Sequence, residues 1–110
     1  MIGIDEELRA TEAAKVVLSA TNPNSEATIR VLRQAKYVAA VAMTILASDK
    51  PLNDARHAVV ITVSELVHAL ETDPAAKQEK IEKAKGAILD LEGALKARQE
   101  LRLTENDKKL

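Results

Sequence analysis

Apolar residues recur at helical spacing along most of the chain, and three short polar breaks divide the pattern into four segments. The first spans about residues 5–20, with an apolar face of Ile4, Leu8, Ala14, Val17 and Leu18. Asp5, Glu6 and Glu7 open it and complement the positive end of a helix dipole. The second spans about 23–47 and the third about 52–71, where Leu52, Ala55, Val59, Val63, Leu66 and Leu70 form a heptad-like stripe. Within the third, AVVITV at 58–63 suits a strand by residue type, but the flanking period is helical and the segment is too long for a strand. The fourth spans about 74–103, striped by Ile81, Ala84, Ile88, Leu91 and Leu95 and heavily charged elsewhere. Glu79 with Lys83 and Glu92 with Lys96 are i,i+4 pairs in the favourable order.

The breaks carry their own chemistry. Asn22-Pro23 and Asp73-Pro74 each read as a capping residue followed by proline at the first helical position. Lys50 precedes Pro51 and is expected outside the helix for that reason. Short connections make consecutive helices neighbours, so the expected fold is all-α, an antiparallel up-and-down four-helix bundle. Residues 1–103 form its single domain, and 104–110 are a polar tail expected to be disordered.

Two of the four helices carry more apolar surface than one buried stripe needs. Residues 35–47, AKYVAAVAMTILA, are apolar on every side except at Lys36 and Thr44. A membrane span needs roughly 20 apolar residues, and Arg30, Arg33, Lys36, Asp49 and Lys50 bound this run too closely. Val38, Val41, Ala42, Ile45 and Leu46 in the second helix cover more than one face, as do Val59, Val60, Ile61, Val63, Leu66 and Val67 in the third. Either the second helix is central and enclosed, or the two helices present an apolar face to another chain. The second reading predicts a non-catalytic interaction module that forms a homodimer or docks a partner helix, with Val41, Ile45, Val60 and Val67 at the contact. A structural subunit of a larger assembly shows the same features.

Composition narrows the partner. A net charge of −1 gives little to neutralise phosphates, and a single aromatic residue, Tyr37, cannot build a base-stacking platform. Nucleic acid is therefore not expected, nor is a membrane partner. The chain has no cysteine, which removes disulfides and thiolate metal sites. MIGIDEELRA lacks the basic and apolar regions of a secretory leader, so the expected location is the cytoplasm. Arg30, Arg33 and Lys36, at steps of three beside Tyr37, form a basic strip suited to an anion or an acidic partner. Opposite charge on the third helix offers a plainer partner for the same strip.

Catalytic patterns are sparse, and neither an enzyme nor a bound cofactor or metal is expected. Glu65-x-x-His68 has the spacing of half a di-iron carboxylate site, the basis of an alternative reading as a metal- or ligand-binding bundle or small enzyme. The second helix has no acid between Glu26 and Asp49, and Asp54-x-x-His57 lies on the same helix as Glu65. His57 and His68 are three turns apart, about 16 Å along the axis, too far to share an ion. Ser64 beside Glu65 lacks the strained turn of an activated nucleophile. Gly86 and Gly93, seven residues apart, return to one helix face; they either admit a close neighbour or simply weaken the helix.

Leu32, Ala35, Ala40, Met43 and Leu46 partly match the spacing of a vinculin-binding helix, as do Leu52, Ala55, Val59, Val63, Leu66 and Val67. In this respect the Ala/Val/Thr-rich helices resemble those of talin- and vinculin-type bundles. Lys36, Ala39 and Arg56 depart from the pattern, and the resemblance covers under half of the chain.

Overall fold

A computed structural model describes residues 3–19, 26–45 and 50–108, apart from the side chains of Ile45, Pro74 and 101–108. It is all-helical: α1 is Ile4–Leu18, α2 Glu26–Ile45, α3 Lys50–Thr72 and α4 Lys77–Lys108, with a single 3-10 turn, Pro74–Ala76, before α4. The segment AVVITV is helical within α3. The expected cap at Asn22-Pro23 lies outside the described residues.

Two helix starts differ from expectation, both for reasons local to proline. Lys50 was expected outside the helix, but it opens α3. Pro51 then falls in the first turn, where its missing N–H has no intrahelical acceptor to lose. Lys50 Nζ also reaches Asp54 at 3.1 Å, one turn on. At the other break, Pro74 starts the 3-10 turn instead of α4 itself; Ala76 N–H donates to the Asp73 carbonyl at 3.1 Å. At its far end α4 continues through Lys108, past Leu103 where the apolar stripe fades.

The helices pack tightly as a closed ring. α1 lies against α2 and α4, and α3 lies against α2 and α4, while the backbones of α1 and α3, and of α2 and α4, make no close approach across the centre among the described residues. The outline is a rod of 54 × 24 × 23 Å. Its core is aliphatic: Ile4, Leu8, Ala14 and Leu18 from α1; Leu32, Ala35 and Ala39 from α2; Leu52, Val59, Val63 and Leu66 from α3; Ile81, Ala84, Ile88, Leu91 and Leu95 from α4. Burying a Leu, Ile or Val contributes about 1.5–3 kcal/mol each. Val38 and Ala42 are also buried, so α2 hides much of its apolar excess inside its own bundle.

Gly86 and Gly93 are exposed, and a Cβ added at either would meet no atom within 4 Å. Within one chain, then, no helix uses the close approach the glycines allow. Gly86→Ala and Gly93→Ala are each expected to raise stability by up to about 1 kcal/mol in dilute solution. The check is the urea midpoint, and a fall instead of a rise would show that the face is occupied.

Candidate functional site

The chain's single aromatic residue is not in its core. Tyr37 is 60% exposed on the outward face of α2. Counting turns of α2 in both directions from Tyr37, exposed Arg30, Arg33, Gln34 and Thr44 and half-buried Ala40 and Val41 share that face. Lys36 is half-buried at its edge. Tyr37 stands on a crest between two open clefts. One is lined by Glu6, Arg9 and Ala10 of α1 with Gln34 and Val38. The other is lined by Arg33, Lys36 and Ala40. Nearer the start of α2, a third cleft runs between Glu26, Ile29, Arg30, Arg33, Gln34 and Glu71. The basic strip is thus a real surface feature, partly neutralised by an exposed Arg33–Glu71 bridge of 3.0 Å. Exposed bridges of this kind contribute about 0–1 kcal/mol, so a partner's carboxylate can compete for Arg33 at small cost.

The expected contact residues do not form one surface. Val60 and Val67 are half-buried and pack against the core. They share a flank of α3 with Glu71, at spacings of seven and four, and therefore line the seam with α2. Val41 is one turn from Val38 and two from Gln34, on the side of α2 that borders α1. The crest carrying Arg33 and Tyr37 lies between the two sets. Ile45 has its side chain outside the described residues. The large apolar residue that α3 exposes is Ile61, at 43%.

Of the two residues of the metal-site alternative, Glu65 is paired and His68 is exposed. Glu65 accepts from Lys80 Nζ of α4 at 3.0 Å, which holds Lys80 above the usual lysine range. Ser64 donates its hydroxyl to the Val60 carbonyl at 2.7 Å, an ordinary intrahelical bond. His57 and His68 are exposed. Among the described residues no three His, Asp or Glu side chains converge on one point, and no helix is long and apolar enough to cross a membrane.

One polar cluster escaped sequence reasoning. Arg56 of α3 is fully buried, and its Nε and Nη2 donate to both oxygens of buried Glu7 of α1, each at 2.7 Å. Arg56 Nη1 donates to Asn53 Oδ1 at 2.9 Å, and Thr11 donates its hydroxyl to the Glu7 carbonyl at 2.7 Å. The bridge crosses the ring between two helices whose backbones make no close approach. Among the described residues no buried side-chain N or O lacks a partner. Every strong donor and acceptor here is satisfied from within, so the cluster is built to hold the helices and not to take a ligand. The signal was present: Arg56 falls between Leu52 and Val59 on the core stripe of α3, and Glu7 between Ile4 and Ala14 on that of α1.

A further cross-helix bridge joins Lys15 Nζ to Glu92 Oε2 at 2.7 Å, near the surface of the α1–α4 seam. The Lys15 hydrogen bond, helped by the charges of Lys15 and Lys96, outweighs burial and holds the Glu92 carboxyl below the usual glutamate range. The stability it contributes is therefore present above that range and lost as pH falls through the lowered value. Lys15→Met should be less stable than the parent near neutral pH, and the gap should close as pH falls below the usual glutamate range. Urea titrations of both proteins across that range check it; a gap that is constant with pH would remove the bridge.

No protein-family model matches the chain, and no curated protein or solved structure matches it either. The reading of function rests on the geometry of the α2 face.

Proposed function

We propose that this chain is a non-catalytic interaction module that docks a partner helix along the outward face of α2. The observation that carries the reading is the placement of Tyr37. A protein whose buried interior contains no aromatic side chain puts its single aromatic residue on the surface, among Arg30, Arg33 and Lys36. Aromatic residues are over-represented where one protein binds another, because a rigid ring buries much area at little entropic cost. The partner helix lays apolar residues over Tyr37, Ala40 and Val41, and its carboxylates meet the basic side chains. The ring supplies most of the affinity, and the charges set orientation and speed of encounter.

The bundle beneath is an up-and-down antiparallel one in this reading. Along the α1–α4 seam, Asp5 accepts from Gln99 at 2.8 Å and Lys15 reaches Glu92. Numbering thus rises on one helix as it falls on the other. The order of helices around the ring also follows the chain.

The test is binding of an acidic amphipathic helical peptide by the parent protein and two variants. Tyr37→Ala should weaken binding at least tenfold, and Arg33→Glu should weaken it and flatten its dependence on salt. Equal binding by all three proteins would overturn the reading.

A further inference from the structure

We propose that a second copy of this chain docks on the outer face of α1 and α4, with the two α4 helices antiparallel about Leu89. The proposal starts from two exposed apolar side chains, Val16 at 66% and Leu89 at 45%. The Lys15–Glu92 bridge ties α1 to α4 at 2.7 Å. Val16 follows Lys15 directly, and Leu89 lies one turn before Glu92. The bridge therefore brings both to one level of one outer seam.

The backbone beside Leu89 is shaped for a side chain from another helix. Gly86, Leu89, Asp90 and Gly93 stand at i, i+3, i+4 and i+7, the four corners of a hole in knobs-into-holes packing. All four are exposed, and the two glycine corners have open space where a Cβ would be. A leucine entering that hole can lie close to the α4 backbone.

Charge identifies the occupant as another copy. Glu82 and Lys96 are exposed and lie seven residues before and seven after Leu89. Turning a second α4 antiparallel about Leu89 sets each Glu82 opposite Lys96 of the other copy, and two-fold symmetry makes the pair twice. Both groups have only loose attachments to give up: Glu82 accepts from Gln78 at 3.5 Å, and Lys96 lies 3.7 Å from a Glu92 carboxylate already held by Lys15. An unrelated partner has no need of opposite charges placed symmetrically about one apolar residue. In the ring, the α1–α4 side lies away from the seam of α2 with α3. The dimer leaves Tyr37 free and presents two docking faces, which raises the avidity for a repeated partner. The dimer stands or falls independently of the docking reading.

Sedimentation equilibrium over a wide concentration range tests it, with far-UV circular dichroism confirming that each variant stays helical. The parent should show a reversible dimer, and Leu89→Asp should be monomeric at the same concentrations. Glu82→Lys and Lys96→Glu should each weaken the dimer about tenfold or more by setting like charges together. The double variant Glu82→Lys/Lys96→Glu should recover the parent dissociation constant, and Tyr37→Ala should leave it unchanged. A parent mass of 11.9 kDa at every concentration would overturn the dimer. A dimer that tolerates Leu89→Asp, or a double swap that fails to restore it, would overturn the assigned face.

Discussion

Arg56→Met should destabilise the protein by about 3–5 kcal/mol. The substitution leaves the Glu7 carboxylate, 2% exposed, without the two hydrogen bonds and the charge that compensate for its burial. Breaking a buried pair by deleting one partner costs about 3–5 kcal/mol, against a total of about 5–15 kcal/mol for a domain. Replacing both partners has a different outcome. Glu7→Leu/Arg56→Met removes two desolvated charges together, and the double variant should lie within about 1 kcal/mol of the parent or above it. Urea unfolding of the parent, both single variants and the double variant closes the cycle. A single variant that loses under about 1 kcal/mol would mean that water reaches the pair in solution.

That asymmetry bears on why the pair is there. It contributes little net stability over an aliphatic pair of the same volume, but it admits only one alignment of α1 with α3. The backbones of those two helices make no close approach, and a core of Ala, Val, Leu and Ile offers many near-equivalent side-chain arrangements. A bidentate bridge across the centre singles out one register, because a slip by one turn would bury both charges unpaired.

Leu66→Ala should produce the second large loss, about 2–5 kcal/mol, and Leu89→Ala in dilute solution a change within about 0.5 kcal/mol. Leu66 is fully enclosed, so truncation both forfeits its transfer energy and leaves a cavity that neighbouring helices can only partly fill. Leu89 is 45% exposed, and water fills the space its side chain leaves. The same chemical change on the same residue type thus separates the two positions by at least about 1.5 kcal/mol in thermal or urea unfolding. Equal losses would place Leu89 in the core and remove the open α4 face.

The outer helices were the most legible part of the chain. In α4, Ile81, Ala84, Ile88, Leu91 and Leu95 recur at helical spacing among charged residues, and all five are buried. The pairs Glu79–Lys83 and Glu92–Lys96 form as their spacing implies, at 3.1 and 3.7 Å. In α2 and α3 apolar residues are too many to name one face. Val60 and Val67 turn to the α2–α3 seam and Val41 to the other flank of α2, a separation that depends on how four helices close into a ring. Residue type alone makes Glu7 a complement to the helix dipole and Arg56 a departure from a partner-binding pattern, whereas their positions on the stripes of α1 and α3 place them inside. Sequence places Tyr37 beside a basic strip, but only the folded chain shows that its interior holds no aromatic ring while Tyr37 is 60% exposed.

Tyr37 also provides the most direct measurement. It is the only aromatic side chain in the protein, so near-ultraviolet fluorescence reports the proposed docking face and nothing else. Titration with an amphipathic helical peptide that carries glutamates on one side, leucines on the other and no tyrosine or tryptophan should change its emission saturably. The change should weaken with added salt and vanish in Arg30→Glu/Arg33→Glu. Emission that stays constant up to about 1 mM peptide, where even a weak complex of about −4 kcal/mol would be half formed, would contradict a docking function for this face.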